Sequence, residues 1–133
     1  MKSYPDIGIT EPHHTISHHR EKPDVKVKHA ILNAWHLSLF AKFAEKLRAT
    51  PDGDGSLLDH SLIFYGSGMS DANVHGPYPL PLVAVGGGLG KGHRHVMTPA
   101  HTPLGNMWTS VANIFGCPEI QFGESTGVLN DLV

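Results

Sequence analysis

Cysteine is almost missing. Cys117 stands alone, which excludes an intrachain disulfide and any zinc site built from CxxC pairs. Charge is scarce as well. Only 17% of residues are Asp, Glu, Lys or Arg, and ten Lys and Arg against twelve Asp and Glu leave a net −2. With a pI near 6.6, no basic field exists to hold nucleic acid or an anionic membrane. Long apolar runs are missing too. The longest, at 62–65 and 82–85, are far too short to span a bilayer, so no transmembrane segment is expected. Met1 is followed by no positive segment with an apolar run behind it, so no export signal is expected in this chain. In their place the sequence has loops and histidine. Glycine and proline supply 15 and 10 residues, and histidine supplies 11, more than Lys and Arg together. Such a chain binds metal, does proton chemistry, or carries an accidental excess. An apolar fraction of 40% in 133 residues suffices for a modest core, one domain or one half of a larger one.

The pattern divides the chain into a His-rich loop, a long helix, and a region of strands, loops and a final helix. Residues 1–23 show no period and read as an irregular, extended loop. Residues 24–50 read as the long helix. Val27, Ala30, Ile31, Ala34, Leu37, Ala41, Ala44 and Leu47 recur at spacings of three and four, which predicts one apolar face. Asp24 takes the N-cap position after Pro23, and the run Thr50-Pro51-Asp52-Gly53-Asp54-Gly55 stops the helix. The rest, 61–133, begins with Leu62-Ile63-Phe64-Tyr65. That run and residues 82–85 read as buried parallel strands. His95-Val96-Met97 suggests a short third strand. Residues 103–115 read as a helix with Thr102 as N-cap, Pro103 at N1 and Gly116 as C-cap, followed by an irregular tail. Strands alternating with helices imply an α/β sheet. The sheet looks incomplete, so residues 1–133 read as one C-terminal portion of something larger.

Three stretches could carry chemistry. His13-His14-Thr15-Ile16-Ser17-His18-His19 places four imidazoles within seven residues. Neutral imidazole ligates zinc and other transition metals, and His14 and His18 share a face if the segment turns helically. Clustered histidines in a solvated polar loop are the alternative. The second stretch runs from Gly66 to His75, directly after a strand, where ligands of open α/β sheets bind. Asp71 offers a hard oxygen and His75 a nitrogen, a set suited to zinc or manganese. Ser70 and Asn73 read as turn caps. The third, the glycine run 86–88 with Gly90, Lys91, Gly92, His93 and His95, misses both GxGxxG and the phosphate-binding loop. It reads as a flexible loop or a close backbone approach. Three patterns are decoys. Asp52-Gly53-Asp54-Gly55-Ser56 has no closing Glu for calcium, and Ser67 lacks the flanking glycines of a nucleophile elbow. His29 and His36, seven apart on the helix, face solvent or pack.

His14-Thr15-Ile16-Ser17-His18-His19 is an HxxSHH motif, and the chain resembles the secreted bacterial family of unknown function named for it. Residues 49–59, Tyr65-Gly66-Ser67-Gly68-Met69-Ser70-Asp71 with His75, residues 80–88, and Phe122-Gly123-Glu124-Ser125-Thr126-Gly127 resemble its further blocks. The resemblance covers nearly all of this chain and the C-terminal third or so of a typical member. It implies part of an α/β/α sandwich of the alkaline phosphatase-like kind and an extracytoplasmic protein. It also implies a divalent metal, zinc or manganese, held by His14, His18, His19, Asp71 and His75. A complete member would then hydrolyse a phosphate or sulfate ester. The missing N-terminal part, self-association, or a cell-envelope component would be the partner, and this portion alone would be inactive. The pattern departs at Gly66-Ser67-Gly68, where hydrolases of that superfamily carry an Asp-His or Asp-Asn pair. A non-catalytic structural or binding module of the cell envelope is therefore the other expectation.

Overall fold

The computed structural model of the chain describes residues 3–89, 92, 94–118, 120–129 and 132. Helices and strands are mixed in it. A short helix α1, His13–Ser17, precedes the 27-residue helix α2, Pro23–Ala49. Lys22 is the N-cap of α2, and Pro23 opens it, where a missing N–H loses no hydrogen bond. Asp24 is thus not the cap that the sequence suggests. It lies in the first turn, where its charge still complements the helix dipole.

The face that α2 turns inward also differs from the expected one. Val25, Lys28, His29, Leu32, Trp35, His36, Phe40, Ala44 and Leu47 are wholly or partly buried. Val27, Ala30, Ile31, Ala34, Leu37 and Ala41 are exposed. Both sets recur at helical spacing, because apolar residues lie on both sides of the helix, and then periodicity selects no face. The inward set carries Leu32, Trp35 and Phe40 and shares Ala44 and Leu47 with the expected stripe, half of which is alanine, so more apolar area is buried this way.

The N-terminal segment is not a plain extended loop. Pro5–Ile7 form a 3-10 turn ended by Gly8 at φ 72°, and Tyr4 and Ile9 exchange backbone hydrogen bonds of 2.7 and 3.0 Å across it. Tyr4, Ile9, Ile16 and Leu32 form a buried cluster, with Ile7, Val25 and Trp35 packed against it. Elements of three and five residues are too short to show a period, which is why the segment reads as irregular.

Pro51–Asp52 (β1) pairs with Gly55–Ser56 (β2) in a tight hairpin. Leu62–Gly66 (β3) pairs with Leu82–Gly86 (β4), and this pairing is antiparallel, not parallel. A parallel return needs a crossover, usually a helix. Residues 67–81 contain no helix, and they fold back as a long hairpin loop. The strands are half-buried or exposed, not buried. Residues 95–97 form no strand, and Val96 and Met97 are exposed. A run of three residues is too short to hold a register. The glycine run is a close backbone approach. A Cβ on Gly87 would lie 1.9 Å from the Asp59 carbonyl oxygen, and one on Gly86 1.9 Å from that of Ser61. Gly90, Lys91 and His93 lie outside the described residues.

The last helix, α3, is Leu104–Ile114. Its N-cap is Pro103 and not Thr102, whose hydroxyl donates to the Pro99 carbonyl at 2.7 Å. Gly116 sits one position past the C-cap at φ 75°. Gly116 N–H donates to Asn113 O and Cys117 N–H to Ala112 O, at 3.0 and 2.8 Å. This is the Schellman arrangement that glycine favours. The tail beyond it is irregular but held. Asn106 Oδ1 accepts from Thr126 N–H at 2.8 Å, Thr109 donates to Ser125 at 3.0 Å, and Ser110 Oγ accepts from Leu129 N–H at 2.7 Å. Successive strand residues face opposite ways. Tyr65 stacks on Phe40 of α2 at 5.0 Å, and Phe64 meets Trp108 of α3 at 5.1 Å, so a helix lies on each side of the hairpin.

Candidate functional site

Ile16 is 1% exposed and anchors α1 against Leu32 of α2. With that side chain inward, His14 and His18, four residues apart, lie together on one side. Their ring centres are 4.7 Å apart, edge to face. The row continues to His75, whose ring centre is 4.9 Å from that of His18. The His-rich segment thus meets the loop after β3.

Asn73 joins the two. His18 Nδ1 lies 3.2 Å from the Asn73 carbonyl oxygen, and Asn73 Oδ1 accepts the Arg20 N–H at 2.8 Å. Asn73 N–H donates to Asp71 Oδ1 at 2.9 Å, and the loop closes through Asp71 and Gly76, which exchange backbone hydrogen bonds. Arg20, Glu21 and His75 all hold positive φ, at 49°, 60° and 57°. Such backbone is costly for non-glycine residues and persists only where its surroundings enforce it.

His19 points elsewhere. Its Nδ1 accepts from Glu21 N–H at 3.2 Å, and its ring lies 6.2 Å from that of His29 on α2. His13 lies between His29 and His36, at 6.0 and 5.4 Å. Both α2 histidines therefore pack against the N-terminal segment. Burial, and then His13 and His19, lower the His29 pKa below the ordinary imidazole value, while Asp71 opposes them. The neutral form is favoured there.

Of the five ligands expected, the structure lines up His14, His18 and His75, attaches Asp71 to that row through Asn73, and leaves His19 aside. Among the described residues, no three His, Cys, Asp or Glu side chains converge closely enough to hold one ion. The donor types are nevertheless those that ligate zinc or manganese. His18 also has one ring nitrogen at a backbone carbonyl, the support that orients a ligating imidazole. His14 and His75 are exposed, so their rings can turn. Ser67 does not fit: its hydroxyl accepts Met69 N–H at 3.1 Å, a local turn.

A concavity of about 410 Å³ lies beside the row, lined by residues that include Glu11, His14, His18, His19, Arg20 and Lys22. Sequence reasoning missed Arg20 and took Asn73 for a simple turn cap. Asn73 does close its own turn, but its link to Arg20 spans 53 residues and leaves no local signal. No protein-family model, curated protein or solved structure matches the chain. Among the described residues, no helix is long and apolar enough to cross a membrane.

Proposed function

We propose that this chain binds a divalent metal, zinc or manganese, through His14, His18 and His75 with Asp71. We further propose that it does so as the C-terminal portion of an extracytoplasmic, HxxSHH-type α/β/α protein that hydrolyses a phosphate or sulfate ester when complete. The observation that carries the reading is His18. Its Nδ1 is held by the carbonyl of Asn73, in the loop that also bears Asp71 and His75. A proton on Nδ1 leaves Nε2 as the lone-pair nitrogen, the tautomer that a ligand needs. Helices on both sides of the β3–β4 hairpin support the layered architecture. A bound ion would supply Lewis-acid polarisation of the ester oxygen. The chain's own part is to orient the imidazoles: α1 presents His14 and His18, and the loop presents Asp71 and His75. His19 stands outside this set, turned to Glu21.

Elemental analysis tests the reading. The purified chain is expected to hold near-stoichiometric metal, lost in the combined His18→Ala and His75→Ala variant and kept in His19→Ala. Equal metal in wild type and double variant would sink the assignment. The second reading, a binding module without catalysis, is favoured by Ser67, whose hydroxyl is used in a turn where hydrolases of the alkaline phosphatase-like kind place an Asp-His or Asp-Asn pair. Esterase assays with several metals on a full-length protein separate the two. Turnover above that of the double variant supports hydrolysis.

A further inference from the structure

We infer that Arg20 binds an oxyanion, and that the concavity beside His14 and His18 takes a tetrahedral anion, phosphate or sulfate, without needing a metal. This deepens the reading above by naming the group that grips the substrate's anionic end, but it rests on different side chains. The carboxylates of Glu11 and Glu21 are engaged elsewhere, while Asp24, two residues from Lys22, lies in the first turn of α2. Glu11, on the wall of the concavity, is paired with Lys28 of α2. Glu21 is drawn off by Lys26. Among the described residues, neither Arg20 nor Lys22 on the same wall has an acidic partner. The wall therefore carries two cations that stand in no ion pair among the described residues. Arg20 is held at its backbone, and its side chain is exposed. Its backbone holds φ 49°, and its N–H is tied to Asn73 Oδ1. A guanidinium fork matches two oxygens of a phosphate or sulfate, which an ammonium does not.

The test titrates inorganic phosphate, and in parallel sulfate, into the full chain stripped of metal by a chelator. Saturable binding is expected, weakened about tenfold or more in Arg20→Gln and partly restored in Arg20→Lys. Loss of both anions in Arg20→Gln assigns the shared tetrahedral class; loss of phosphate binding where sulfate never binds narrows it to phosphate. Arg20 is exposed, so the circular dichroism of the variants should match wild type. No saturable binding of either anion, or equal affinity in Arg20→Gln, overturns the inference. Zinc titration of the same proteins keeps the two readings apart. A chain that binds phosphate but no zinc loses the metal reading and keeps this one, and zinc without phosphate does the reverse.

Discussion

Ile31 and Leu32 are neighbours in sequence and opposites in the fold, and substituting each by alanine tests which face of α2 is inward. Leu32 is 0% exposed and sits in the cluster with Tyr4, Ile9 and Ile16. Leu32→Ala removes three buried carbons, worth about 2.4 kcal/mol in transfer, and the cavity left behind raises the loss to about 3–4 kcal/mol. Ile31 is 46% exposed. Its truncation forfeits about half that transfer energy, and the better helix propensity of alanine offsets part of the rest, so about 0.5–1 kcal/mol is expected. Urea unfolding followed by the fluorescence of Trp35, which packs on the cluster and lies 5.4 Å from Tyr4, reads both. If Ile31→Ala costs as much as Leu32→Ala, the alanine-rich stripe is the packed one and the inward face assigned here is wrong.

Gly87→Ala should cost about 1–3 kcal/mol, because its Cβ would collide with the Asp59 carbonyl oxygen; an unchanged urea midpoint would show that the approach is looser. Asn106→Ala strips Thr126 N–H of its acceptor and should cost about 1–3 kcal/mol, with faster hydrogen exchange across 120–129; slow exchange there would contradict it. The hydrogen bond to Asp52, and then its charge and that of Asp54, raise the His60 pKa above the ordinary value. The folded state binds the proton more tightly, so this contribution is full below about pH 6.5 and fades as pH rises through the raised value. His60→Ala should flatten that part of the stability profile, and an NMR titration placing His60 below the free imidazole value would refute the sign.

The elements of this chain are legible where local chemistry defines them, and their partners are not. Pro23 and the Thr50–Gly55 run bracket α2 because both act within a residue or two of the helix end. Pro103 and Gly116 bracket α3 for the same reason, with the caps displaced by one position. The runs at 62–65 and 82–85 are strands as expected, since glycine ends each. Their relative direction is set by the 16 residues between them, whose fold is not written in either strand. The inward face of α2 was hidden by too much signal, as apolar residues cover both sides. Placing it required the short N-terminal elements, which carry no period of their own.

The histidine row shows the same division inside the candidate site. The i, i+4 spacing of His14 and His18 foretells their contact, given a turn of helix. The approach of His75 to His18 follows only once the loop folds back and brings the Asn73 carbonyl to His18. One asparagine offers a carbonyl to His18, a side-chain oxygen to Arg20, and an N–H to Asp71. It thereby ties an imidazole, a cation and a carboxylate into one frame. Alanine there would keep the bonds to His18 and Asp71, which use backbone atoms, and lose only the one to Arg20. A side-chain substitution at 73 therefore separates the two halves of the site. The imidazole row depends on the path of the loop, whereas the position of Arg20, at φ 49°, depends on a single amide oxygen.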